Sequence, residues 1–260
     1  MRVTYRSRGV KEYWATRWKL IPADVPMENY GVYPLKYAEM ALQGGRGRIL
    51  EAGCGAGRIL RYYHDRGHDI VGIDFIPVAI EKLKAVDNSL KVETGDITDL
   101  RFQDGEFDCV LAFGLYHNLL DNLNLAVQET SRVLKVGGRV CASFRADNLQ
   151  TRMTDWLADR RKASVQGKKE FHKLNLTRSE FQSLFERAGF AVEFVGPVEN
   201  MPILYKFRFF RAAGHKQFDE NKARMEGYKL SWLGRGLQNF LMRFLPDQFC
   251  NIYVLIARKL

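Results

Sequence analysis

Three glycines at alternate positions, Gly53, Gly55 and Gly57, sit in the stretch "RILEAGCGAGRIL", after an apolar run and before residues with helical spacing. Glycine lets a ligand approach the main chain closely, and a helix N-terminus offers free backbone N–H groups. Two acids close later apolar runs: Asp74 ends "DIVGID" and Asp96 ends "LKVETGD". A carboxylate at Asp74 can accept hydrogen bonds from both hydroxyls of a ribose. Asp96 with Ile97 suits an adenine, the carboxylate meeting the amino group and the aliphatic chain the ring face. His117, in "FGLYHNL", adds a group that titrates near neutral pH and can take a proton from a hydroxyl nucleophile. Tyr116 and Asn118 flank it. The glycines and acids describe a nucleotide-like ligand, and His117 is a candidate proton acceptor.

The ligand is not set by the glycines alone. In the dinucleotide fingerprint G-x-G-x-x-G, counted from Gly53, the third glycine falls on Arg58. No G-x-x-x-x-G-K-[ST] phosphate loop is present either.

Regular elements must carry these residues. Residues 48–53, 69–74, 90–96, 107–114 and 139–144 read as strands. Residues 57–67, 77–87 and 123–138 read as the intervening helices. A helix over 176–190 follows, with Thr177 as N-cap and Glu180 at the capping-box position, then strands over 191–198 and 251–259. Strands alternating with helices require crossover connections, hence a doubly wound, mostly parallel α/β sheet.

In this order, E-x-G-x-G-x-G, the acid ending the second strand, "GD" ending the third, "FDCVLA" and "VLKVGGRV", the chain resembles the class I S-adenosylmethionine-dependent methyltransferases. The resemblance covers about residues 48–198 and the last strand. It implies a seven-stranded Rossmann-like sheet with helical insertions, and S-adenosylmethionine as cofactor. It also implies roles. Gly53, Cys54, Gly55 and Ala56 pass near the methionine part, Gly57 is counted among the cofactor-binding residues, and Glu51 orients that loop or meets the amino group. Asp74 holds the ribose, with Phe75 and Ile76 beside the adenine that Asp96 and Ile97 recognise. Phe113 forms the floor near the sulfonium. An N-terminal helix often folds over the cofactor in this family, and "EYWATRW" supplies Tyr13, Trp14, Arg17 and Trp18 at helical spacing. Core packing is the other reading of that aromatic stripe. His117 is the expected catalytic base, with Tyr116 beside it, and a merely loop-ordering histidine is the alternative. His172 is a distant second choice. No metal site is expected, because the four cysteines are far apart and form no CxxC pair.

The formal charge of +10 is unevenly spread. Residues 49–144 carry ten basic against fourteen acidic residues, while 1–48, 145–173 and 199–249 carry excesses of +5, +4 and +4. The expected organisation is a helical lid over 1–47, the cofactor-binding half over 48–144 and a substrate cap over 145–173. The remaining core falls at 174–198 and 250–260, and a basic-aromatic insertion at 199–249. In the cap, Arg145, Arg152, Arg160, Arg161, Lys168 and Lys169 can engage phosphate or carboxylate. The insertion interleaves ten aromatic residues with arginine and lysine. That pattern fits core or homodimer packing first, with a peripheral membrane contact as the alternative.

No [DN]-P-P-[YFW] follows the fourth strand, so nucleic acid loses support as substrate. The expected acceptor is anionic: a glycan, a lipid-linked intermediate or a small metabolite, methylated at oxygen. An RNA methyltransferase and a small-molecule N-methyltransferase are the alternatives. With no apolar run of about 18 residues and no secretory signal pattern at the N-terminus, the expected address is cytoplasmic, with membrane association left open.

Overall fold

The glycine turn lies at the middle of a seven-stranded sheet, where neighbouring strands run off in opposite directions. The computed structural model describes residues 1–6, 9–43, 45, 47–162, 169–218 and 227–260. Its core strands are β2 (Ile49–Ala52), β3 (Ile70–Asp74), β4 (Val92–Thr94), β5 (Phe107–Ala112), β6 (Leu134–Arg145), β8 (Phe190–Val198) and β9 (Ile252–Lys259). Their order is β4-β3-β2-β5-β6-β9-β8. β2 pairs in parallel with both β3 and β5, and only β9 runs antiparallel to its neighbours β6 and β8. The order reverses at β2, and in open α/β sheets ligands bind beyond the carboxyl ends of strands at such a switch point.

β2 and β3 are buried along their whole length, which explains their continuous apolar runs. The helices α2 (Leu35–Leu42), α3 (Arg58–His64), α4 (Pro77–Val86), α5 (Leu123–Val133) and α7 (Arg178–Glu186) cover the sheet, leaving an apolar cluster on each face. α7 has the expected capping box: Thr177 Oγ1 accepts the Glu180 N–H, and Glu180 accepts the Thr177 N–H.

The run read as a helix through residue 138 ends at Val133, and Leu134 already pairs with Phe107 in β6. Gly137 takes a φ of +78°, and Lys135 Nζ binds both oxygens of Asp108 on β5, so sheet contacts take the last turn away from the helix.

The N-terminal segment is not wholly helical. β1 (Arg2–Arg6) pairs antiparallel with β7 (Glu170–Asn175), and α1 (Val10–Leu20) follows it. α6 (Leu149–Lys162) lies between β6 and β7. Beyond β8 come short 3-10 turns at Ile203–Lys206, Arg208–Phe210 and Ala213–His215, then α8 (Trp232–Phe244) and α9 (Pro246–Phe249). Among the described residues no helix is long and apolar enough to cross a membrane.

Candidate functional site

The glycine turn is held by β3. The N–H groups of Gly53 and Cys54 both donate to Ile73 O, at 2.8 and 2.9 Å. Asp74 Oδ2 accepts the Gly55 N–H at 2.9 Å, and its Oδ1 accepts the Ile76 N–H at 2.9 Å. Burial pushes the Asp74 carboxyl up, against these two N–H groups. Glu51 is buried beneath the turn, and its Oε2 has no hydrogen-bond partner. Burial, with a smaller contribution from Asp74, pushes its pKa up to about 8, against the Leu60 N–H and Arg58.

A cavity of about 870 Å³ opens above the turn. One end is formed by Glu51, Gly53, Cys54, Asp74, Phe75, Ile76, Asp96 and Ile97. Asp96 Oδ1 accepts from the Thr98 N–H and hydroxyl, which fixes the carboxylate. Ile76 and Ile97 are buried, whereas Phe75 is half exposed with Lys11 Nζ over its ring at 4.9 Å.

α1 lies across this end. A Cβ on Gly55 would stand 2.5 Å from the Trp18 indole, so the ring rests directly on the turn. Trp14 stacks on Trp18 at 5.1 Å, and its Nε1 donates to Asn118 Oδ1 at 3.3 Å. Asn118 in turn donates to Gly114 O. Lys82 Nζ donates to the carbonyls of Trp18, Lys19 and Ile21, satisfying the open end of α1. Tyr13 and Phe113 also face the cavity. Tyr33 meets Phe113 edge-on at 5.7 Å, and its hydroxyl lies 3.0 Å from Ser143 Oγ, which accepts the Gly114 N–H.

The opposite end is cationic. Arg145, His172, Lys173 and His117 line it together. Arg145 Nη1 donates to Asn251 Oδ1 at 3.0 Å, but its buried Nε has no partner. Lys173 Nζ is buried 3.4 Å from Asp155, which also receives Arg2 and Arg6. Side chains alternate along a strand, so Arg2 and Arg6 of β1 share a face. One carboxylate thus serves Arg2, Arg6 and Lys173, and burial, then the charge of Arg145, pushes the Lys173 ammonium well below its ordinary range. Enclosure, then the charges of Arg145 and Lys173, push the His117 imidazole well below its ordinary range, and its buried Nδ1 has no partner. Burial and Lys173 likewise push His172 down, to about 3. Glu199, pushed up to about 8 by burial, also lines the cavity and accepts from Gln238 of α8.

Comparison with known proteins shows what the chain is similar to. A family model described as "Methyltransferase domain" matches residues 50–142. Over that segment the chain is similar to class I S-adenosylmethionine-dependent methyltransferases. A probable S-adenosylmethionine-dependent methyltransferase of Mycolicibacterium smegmatis is 27% identical over 168 residues, 64% of this chain and 61% of the relative. A malonyl-[acyl-carrier protein] O-methyltransferase of Enterobacter lignolyticus is 30% identical over 112 residues, 43% of this chain and 44% of the relative. The chain spans about half the length of the curated relatives it matches. The solved structure of a methyltransferase from Methanosarcina mazei is similar in fold, with a TM-score of 0.59 at 18% identity, over 88% of this chain and 98% of the other.

Several sequence expectations need correction. Tyr116 does not face the cavity. It is fully buried, its hydroxyl bonded to Thr130 Oγ1 at 2.6 Å and its ring edge-on to Phe185. Successive residues of a 3-10 turn point about 120° apart, so Tyr116 enters the core while His117 faces the cavity. Gly57 belongs to the fold: with a φ of +73° it starts α3, and a Cβ there would stand 2.4 Å from Leu83. Gly55 touches Trp18 rather than open space.

Of the six basic cap residues named from the sequence, Arg145 lines the cavity, and the unforeseen Lys173 joins it there. Arg152 is exposed and paired with Asp147 at 3.0 Å, Arg160 lies over the Trp156 ring, and Lys169 is exposed on the outside. The Arg161 side chain and Lys168 lie outside the described residues. Sequence reasoning missed Tyr33, Ser143 and Lys173, which gather from separate elements and share no local motif.

Proposed function

We propose that the chain transfers a methyl group from S-adenosylmethionine to an oxygen of an anionic, non-nucleic-acid acceptor. One observation carries this reading: a single cavity joins the glycine turn to the cationic cluster of Arg145 and Lys173, with His117 on its wall. The residues present fit the cofactor. Glu51 offers a buried, unpartnered carboxyl oxygen to an ammonium group. Asp74 keeps lone pairs for ribose hydroxyls beyond the two N–H groups it accepts. Asp96, Ile76 and Ile97 suit an adenine edge and face. The bound cofactor would supply a methyl group already activated on a positively charged sulfur.

The protein's part is alignment and exclusion of water. Trp14 and Trp18 close one side, and Phe113 with Tyr33 fills the floor. Arg145 Nε and Lys173 Nζ would take the acceptor's carboxylate or phosphate through charge-assisted hydrogen bonds. That anion also offsets the charges that hold His117 neutral, raising the proton affinity of Nδ1 as the acceptor arrives. Nδ1 can then take the hydroxyl proton while oxygen takes the methyl group. The acceptor is read as a small metabolite, glycan or lipid-linked intermediate.

One observation favours a second reading. The low proton affinity of His117 suits an acceptor that needs no base, such as an amine, and so small-molecule N-methylation.

Methyl transfer from labelled S-adenosylmethionine to a panel of hydroxyl and amine acceptors, each with and without a carboxylate or phosphate, tests the reading. Hydroxylated anions should be methylated, and Arg145→Gln should raise their KM with little change for neutral analogues. Methylation of amines only, or an equal response of charged and neutral acceptors to Arg145→Gln, would reject it.

A further inference from the structure

We propose that the outward face of α8 docks the protein onto an anionic lipid bilayer. This helix is packed inside out. Its inner face is small and polar: Gly234 and Gln238 are buried, and a Cβ at Gly234 would stand 2.9 Å from Phe210 O. Its outer face is apolar. Trp232 is 78% exposed, Phe240 58% and Phe244 62%, with Leu233 and Leu237 exposed between them. At about 100° per residue these five positions fall within one continuous stripe, less than half the helix circumference. Gly236 lies in the same stripe with nothing within 4 Å. The apolar surface is therefore left unused by the fold.

Neighbouring segments also expose apolar side chains. The Ser231 N–H donates to Phe210 O at 2.8 Å, so the turn carrying Phe209, itself 69% exposed, sits against the start of α8. α6 begins beside α9, where the Leu149 N–H meets Gln248 Oε1, and it presents exposed Leu149 and Trp156.

Charge chooses the occupant. Arg208, Lys216, Arg235 and Arg243 are exposed around the stripe. Among the described residues of 199–249 the acids are Glu199, turned inward to Gln238, and Asp247, 3.8 Å from Arg178. A second copy docked about a two-fold axis would set the same cations against each other. An anionic bilayer neutralises them while the aromatic side chains enter the interface. At 13 residues, about 20 Å, α8 lies along such a surface and does not cross it.

Resting on the reading of the cavity as a methyl-transfer site, docking also defines the acceptor. Arg235 and Asn239 are exposed and line the cavity, so its mouth opens beside the docking face. An amphiphile with an anionic head reaches the Arg145 end while its apolar tail stays in the bilayer.

The test is sedimentation of the full chain with vesicles of phosphatidylcholine and phosphatidylglycerol, and with phosphatidylcholine alone, at physiological salt. The protein should pellet with the mixed vesicles and stay in solution with the neutral ones. The double variant Trp232→Glu with Phe240→Glu should lose about tenfold or more in partitioning, and Arg243→Glu a smaller factor, since each basic residue near such a surface matters several-fold. Both should keep wild-type circular dichroism and wild-type affinity for S-adenosylhomocysteine. Wild-type protein that remains in solution with anionic vesicles would overturn the proposal. So would a light-scattering dimer that the double variant splits without any vesicle binding, which gives the face to a second copy. Calorimetry with S-adenosylhomocysteine is read separately: absent affinity in the wild type rejects the methyl-transfer reading and leaves the vesicle result standing.

Discussion

Asp74 grips Gly55: the carboxylate at the end of β3 accepts the glycine N–H at 2.9 Å, and its other oxygen accepts the Ile76 N–H at the same distance. The turn after β2 and the turn after β3 are therefore one rigid unit. On the proposed reading, a cofactor ribose would meet a carboxylate that is already oriented.

Asp74→Ala should thus affect two properties at once. Two buried backbone donors lose their acceptor, which should lower stability by about 2 kcal/mol. Affinity for S-adenosylhomocysteine should fall by about tenfold to a hundredfold, as expected for a lost charge-assisted hydrogen bond. Asp74→Asn keeps one acceptor oxygen and should recover part of both losses. Thermal unfolding and titration calorimetry measure them; an unchanged affinity would remove Asp74 from the cofactor site.

A second expectation concerns Gly55 and Trp18. Gly55 has a φ of +53°, and an added Cβ would meet the indole at 2.5 Å. Gly55→Ala should weaken cofactor binding by displacing α1, beyond the roughly 1 kcal/mol of backbone strain. Trp18→Ala removes the obstacle, so the double variant should bind better than the sum of the single losses predicts. Additive losses would mean that α1 does not close on the turn in solution.

The sheet and its glycine turn were legible because strands alternating with helices leave a strong periodic signal, and because acids at strand ends have few structural reasons to be there. The cationic end was not. Arg2 and Lys173 lie 171 positions apart and meet only through the pairing of β1 with β7. Such non-local pairing leaves no local pattern beyond the alternation in "RVTYR". The orientation of α8 was hidden for a different reason. An amphipathic pattern tells which residues share a face, not which face turns inward, and here Gln238 is buried while Phe240 is out. Arg211 illustrates the limit for single residues. It is buried and donates to the carbonyls of Tyr205, Lys206 and Lys216, so it staples a loop rather than awaiting an anion.

Glu51 should make cofactor binding sensitive to pH. Its carboxyl is pushed up to about 8 in the ligand-free protein, chiefly by burial, so it is largely protonated at neutral pH. An ammonium group placed beside the unpartnered Oε2 favours the charged form and lowers that value. Binding should then release a proton, and affinity should rise with pH until about 8 and level off above it. Calorimetry at pH 7 in buffers of different ionisation enthalpy measures the release. Glu51→Gln should abolish it; proton release unchanged in that variant would assign the proton to another group.

His117 carries the last expectation. Enclosure and the charges of Arg145 and Lys173 push its imidazole well below the ordinary 6.5. The unfolded chain, with an ordinary histidine, takes up a proton below about 6.5 that the folded protein refuses. The folded state therefore loses stability as pH falls through that value, and His117→Gln should remove part of this acid sensitivity. Denaturant unfolding at pH 7.5 and pH 5.5 compares the two proteins; equal acid losses would mean that His117 titrates normally. Catalysis gives the sharper test. With a hydroxyl acceptor His117→Gln should lower kcat by about 10²–10⁴ while leaving S-adenosylhomocysteine affinity unchanged. The imidazole carbon signals of the wild type should titrate upward once a carboxylate or phosphate acceptor analogue fills the Arg145 end, because the anion offsets the charges that keep the ring neutral. A ring whose titration ignores the analogue, in an enzyme whose kcat survives the substitution, leaves proton removal to the solvent and gives the acceptor a nucleophile that needs no base.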